Sequence, residues 1–130
     1  MELRLCRWTF HVKHRHDGLV GYLSIDVPVR LWQRIDGCVD NSMAVDVVES
    51  ILESVSIGSC VRDEGWRVAA AFVGETDEHG WPPQDHPLPV VLQRAHWEWV
   101  LTQLDRWMPH EDDDVIAQAR ALIQESLHSP

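Results

Sequence analysis

Apolar and polar positions first alternate along this chain and then recur at helical spacing. In residues 3–13, Cys6, Trp8, Phe10 and Val12 fall on one face; in residues 19–27, Leu19, Leu23, Ile25 and Val27 do the same. Period-two alternation marks a half-buried strand, and His16-Asp17-Gly18 between the two segments is turn chemistry, so a β-hairpin is predicted. Pro28 ends that ladder or places it at a sheet edge. Residues 29–35 are ambiguous and compatible with a strand running to the Asp36-Gly37 turn. A first helix is predicted over residues 42–55, capped by Asn41 or Ser42. At 100° per residue Ala44, Val47, Val48, Ile51, Leu52 and Val55 share one arc, opposite a ridge of Asp46, Glu49 and Glu53. Residues 57–62 and 66–73 read as a second hairpin, joined by Asp63-Glu64-Gly65 with glycine at the left-handed position. Residues 74–89 form the longest irregular stretch, carrying two glycines and four prolines.

A second helix is predicted over residues 90–108, with Trp97, Val100, Leu101, Leu104, Trp107 and Met108 as its core stripe; Pro109 stops it. The acidic run Glu111-Asp112-Asp113-Asp114 opens a third, which buries Val115, Ile116, Ala119, Leu122, Ile123 and Leu127. The order ββ-α-ββ-α-α predicts one α+β domain spanning residues 1–130. Its expected form is an antiparallel sheet of four to five strands, made from two hairpins, with three helices mainly on one face.

Composition changes this picture in three ways. No apolar run approaches the roughly 20 residues that span a bilayer, and the charged start Met1-Glu2-Leu3-Arg4 does not read as a signal peptide. The three cysteines, Cys6, Cys38 and Cys60, lack CxxC spacing and suit small buried thiols in a reducing cytoplasm. Charge is the most informative: 21 acidic against 11 basic side chains give −10. Residues 1–34 hold six basic and three acidic groups, and residues 35–130 hold five and eighteen. Negative potential of that size repels nucleic acid and anionic membranes and speeds encounter with basic proteins. Seven tryptophans supply apolar area for the core and candidate anchors for an interface.

Candidate chemistry is sparse. There is no G-x-S-x-G elbow, phosphate-cradling glycine loop or H-E-x-x-H, and no cofactor is expected. His14 and His16 share a strand face while His11 points the other way; two imidazoles can begin a zinc site but need further ligands. Lys13 and Arg15 between them oppose a dication, so an exposed strand end is the plainer role. His79 and His86 flank Trp81 in the proline-rich stretch, beside Glu75, Asp77, Glu78 and Asp85. That stretch reads as a solvated loop or as an acidic, aromatic contact surface, with catalysis behind both. The run 111–114 is explained first by the helix dipole, and Asp112 and Asp113 only second by a basic partner. Trp99 lies off the core stripe of its helix, so either that helix is buried on two sides or Trp99 is exposed as an anchor.

In size, acidity and lack of an active-site motif the chain resembles the small acidic immunity proteins that bacteria hold against toxins. The resemblance implies a non-catalytic inhibitor of a basic toxin, often a nuclease, whose cationic site an acidic surface covers. The expected contact residues are Asp46, Glu49, Glu53, Glu75, Asp77, Glu78, Trp81, Asp85, Trp99, Asp112 and Asp113. A single lysine beside ten arginines points to a GC-rich bacterial genome. Two other readings stand beside this one: a small metal protein or enzyme using the histidines, and a homodimeric subunit using Trp99.

Overall fold

The strand predicted over residues 19–27 forms as β1 (Tyr22–Pro28), with Leu23, Ile25 and Val27 turned inward and Ser24 and Asp26 outward. The structure is a computed structural model and describes residues 21–129. The first member of the expected hairpin, residues 3–13, and with it His11, His14, His16 and Cys6, lies outside them.

No turn follows β1. Pro28, whose ring holds φ near the helical value, leads directly into α1 (Val29–Val48). No side chain caps this helix. Its first N–H groups instead donate to loop carbonyls far along the chain, Val29 to His86 and Arg30 to Gln84, each at 3.0 Å. α1 buries Val29, Leu31, Trp32, Ile35, Cys38 and Val39, and the same stripe continues through Ser42 and Asp46. Ser50, at φ 62°, reverses the chain, with the N–H groups of Ser50 and Ile51 donating to Val47 and Asp46 carbonyls. α2 (Leu52–Ala70) then runs back along α1.

An irregular segment over residues 71–86 leads to β2 (Pro87–Gln93), which pairs antiparallel with β1 from Tyr22↔Gln93 to Pro28↔Pro87. Along the outer edge of β2, Pro87 and Pro89 lack an N–H and that of Val91 donates to Glu64 Oε2 at 3.3 Å. Such an edge offers little to a further strand. α3 (Arg94–Trp107), a 3₁₀ turn (Met108–His110) and α4 (Val115–His128) complete the order. The core gathers one face of the strand pair (Ile25, Val27, Leu88, Val90, Leu92) with Trp32, Ile35, Val61, Trp97, Leu104, Ile116 and Ile123. None of the described helices is long and apolar enough to cross a membrane.

The expected sheet of four to five strands with three helices is therefore corrected: the described residues form two antiparallel strands and four α-helices. The second hairpin does not exist, because residues 57–70 are helical. Gly58 and Gly65 are not turn residues but points of close helix approach. A Cβ at Gly65 would lie 2.2 Å from Trp32 Nε1, and one at Gly58 would lie 2.6 Å from the Met43 side chain. Residues 29–35 are the first turns of α1 rather than a strand, and residues 90–93 belong to β2 rather than to the helix after it. Of the cysteines, Cys38 is a buried free thiol, pushed up to about 11 by burial, whereas Cys60 is disulfide-bonded.

Candidate functional site

Residues 74–86 hold four carboxylates and no lysine or arginine. A chain so charged would stay extended unless something fixed it, and three devices do. Trp81, only 7% exposed, packs against Trp66 of α2 with ring centroids 4.3 Å apart. Asp77 Oδ1 accepts from the backbone N–H groups of Trp81 and His79, both at 2.9 Å, which closes a turn around the tryptophan. Those bonds, that of Trp81 first, hold the Asp77 carboxyl below its usual range. At the far end, the Gln84 and His86 carbonyls are tied to the start of α1. Glu75, Glu78 and Asp85 are left facing solvent. Among the described residues Arg30 pairs with this loop, its Nε 3.6 Å from an Asp85 side chain that is 93% exposed. Such a pair is worth little in water.

Beside this loop, Arg67, Val68, Phe72, Val73, His86 and Pro89 line most of an open groove of about 490 Å³. His86 meets Phe72 edge-on at 4.6 Å, and the Arg67 guanidinium is held by both oxygens of Glu64. Among the described residues no carboxylate or hydroxyl side chain lines the groove.

Asp46 is placed otherwise than as the surface contact expected of it. Its side chain is 8% exposed and takes two hydrogen bonds from Arg106 of α3, at 3.1 and 3.2 Å, and one from Ser54 of α2 at 2.6 Å. The hydrogen bonds from Arg106, then Ser54, lower its pKa. One turn earlier Ser42 donates to Gln103 Oε1 and accepts from Trp107 Nε1. These groups make a polar seam that joins α1, α2 and α3. Glu49 and Glu53, by contrast, are exposed and make no ion pair among the described residues.

The run 111–114 divides. Arg34 of α1 holds Glu111 at 2.7 Å and both oxygens of Asp113 at 2.9 and 3.0 Å, and Asp113 also accepts from the Val115 N–H at the start of α4. Asp114 accepts from Gln118, while Asp112 faces solvent. Trp99 is half-buried against the core rather than exposed. Among the described residues no group of three or more His, Cys, Asp or Glu is placed to hold a metal ion.

Glu49 and Glu53 thus form a surface separate from that of the 74–86 loop. Glu49 and Glu53 stand at one end of α2 and the 74–86 loop at the other; a helix of 19 residues is about 28 Å long. Sequence reasoning missed the neighbours of the first pair. Val47, Val48, Ile51 and Leu52 are exposed, Val48 to 82% and Leu52 to 66%, where a core stripe is expected, and Val45 beside them is exposed as well. The signal was the alignment of Ser42 and Asp46 with Ile35 and Val39, which continues the buried arc of α1. Compared with family models, with curated proteins and with solved structures, the chain matches none.

Proposed function

We propose that this chain works by binding another protein, as an immunity or inhibitor protein that covers the cationic site of a basic toxin. The observation that supports it is the pinned loop over residues 74–86. A segment held by Trp81, Asp77 and the start of α1 presents Glu75, Glu78 and Asp85 as a preformed negative surface. Preorganisation removes the ordering cost that a floppy acidic loop would incur on docking. Charge then acts on the rate of encounter, and the fixed geometry on how long the complex lasts. Asp46 takes no part in this surface, and Asp113 contributes little because Arg34 already neutralises it.

Placement in the cytoplasm belongs to the same reading and has one observation against it. Disulfides are rare in reducing compartments, and Cys60 is disulfide-bonded.

The test is co-expression with a candidate small basic toxin, sought first among the products of neighbouring genes. Growth inhibition by that protein should be relieved, and the purified pair should associate about tenfold more slowly as salt rises from 50 to 500 mM. Glu75→Lys/Glu78→Lys/Asp85→Lys should slow association at low salt by a similar factor. Association indifferent both to salt and to the triple reversal would sink the reading.

A further inference from the structure

The last turns of α1 are packed inside out. Ser42 and Asp46 occupy the buried positions, while Val45, Val47, Val48 and, past the reversal, Ile51 and Leu52 face water. Burying a carboxylate requires a full set of partners, and here Arg106 and Ser54 supply them. The corner above is tight. Ser50 takes a left-handed backbone, and the Ile51 N–H donates to the Asp46 carbonyl at 2.8 Å. The apolar knuckle is therefore mounted on a fixed base and does not turn inward.

The geometry points to this knuckle, Val47, Val48, Ile51 and Leu52 flanked by Glu49 and Glu53, as a docking surface for a basic partner with an apolar pocket. The inference rests on the protein-binding reading above and adds to it the anchors and the partner's shape. Charge selects the occupant. Glu49 sits at the C-terminal end of α1, where the dipole is already negative and no basic residue stands in the last turn. Neither it nor Glu53 has a cationic partner among the described residues. A second copy would bring four such carboxylates together around the apolar contact. An acidic rim completes the surface for a cationic partner and opposes a homodimer.

The probe is a synthetic helical peptide of leucine and lysine with leucines at i, i+3, i+4 and i+7, titrated into the full chain and followed by amide NMR shifts and calorimetry. Saturable 1:1 binding is expected, with shifts concentrated at residues 45–53. Val48→Ser/Leu52→Ser should weaken it at least tenfold with the thermal midpoint unchanged, since both side chains are exposed. Glu49→Gln/Glu53→Gln should weaken it less, and only at low salt. Equal binding of a leucine–glutamate peptide would overturn the inference. So would sedimentation of the chain as a dimer that Val48→Ser/Leu52→Ser converts to monomer. Binding untouched by Val48→Ser/Leu52→Ser but lost on reversing Glu75, Glu78 and Asp85 would overturn the knuckle and leave the protein-binding reading intact. No binding of the cationic peptide by either surface would overturn both.

Discussion

Asp46 shows how much one buried carboxylate can organise. Its two oxygens satisfy Arg106 and Ser54, so residues from three helices meet at a single group. Arg106→Gln removes both guanidinium bonds. It should destabilise the fold by about 2 kcal/mol, the mild end for a broken buried pair because Arg106 is itself a third exposed. The pH dependence follows from the same contacts. The folded-state pKa of Asp46 lies below its ordinary 3.8, so its contribution is complete above that value and is lost as pH falls through the folded one. Denaturation midpoints should fall more steeply below about pH 4 in the wild type than in Arg106→Gln. Equal slopes would show that the pair adds nothing. Sequence pattern left this residue ambiguous unless its alignment with Ile35, Val39 and Ser42 was read across the whole of α1. Val45, Val47 and Val48 surround it, so an apolar arc can be drawn on either side of the helix, and the carboxylate assigns itself to the solvent side by habit of type alone.

At the level of elements, the sequence was readable where the stripe was unambiguous. α3 and α4 bury the residues their periodicity predicts, with Trp97, Val100, Leu104, Ile116, Ala119 and Ile123 all in the core. β1 follows its alternation. α2 was obscured because Ile57, Val61 and Val68 are β-branched, and because its glycines look like turns until a neighbouring tryptophan explains them. Tertiary contact overrode local preference at both points. Gly65→Ala tests this directly. A methyl group there meets the buried Trp32 ring at 2.2 Å and should cost about 2 kcal/mol or more, despite alanine's better helix propensity. Gly37→Ala on the exposed face of α1, with nothing within 4 Å, should instead stabilise by about 0.5–1 kcal/mol. Similar urea midpoints for the two variants would contradict the close-approach account. For the candidate site, Glu75, Glu78 and Asp85 stand exposed as composition suggested. The pinning of Trp81 beneath them depends on Trp66, fifteen residues earlier, and no local pattern carries that.

At the scale of the whole molecule, the surplus of eighteen acidic over five basic groups in residues 35–130 is partly neutralised within the fold. Arg34, Arg62, Arg67, Arg106 and Arg120 each neutralise carboxylates nearby. Among the described residues left without an ion pair, Glu49 and Glu53 stand at one end of α2 and Glu75 and Glu78 at the other, while Asp26, Glu98, Asp112 and Glu125 face solvent elsewhere. The join between β1 and α1 ties one of those ends to the interior. Because α1 borrows its opening acceptors from Gln84 and His86, the first turn of that helix is tied to the seated loop. A partner gripping residues 75–85 therefore holds a latch on the helix that carries Trp32. Its arrival should be readable at the Val29 and Arg30 amides as slower deuterium uptake, a reporter remote from the contact itself. Unchanged uptake at those two amides on occupancy would mean that the latch transmits nothing.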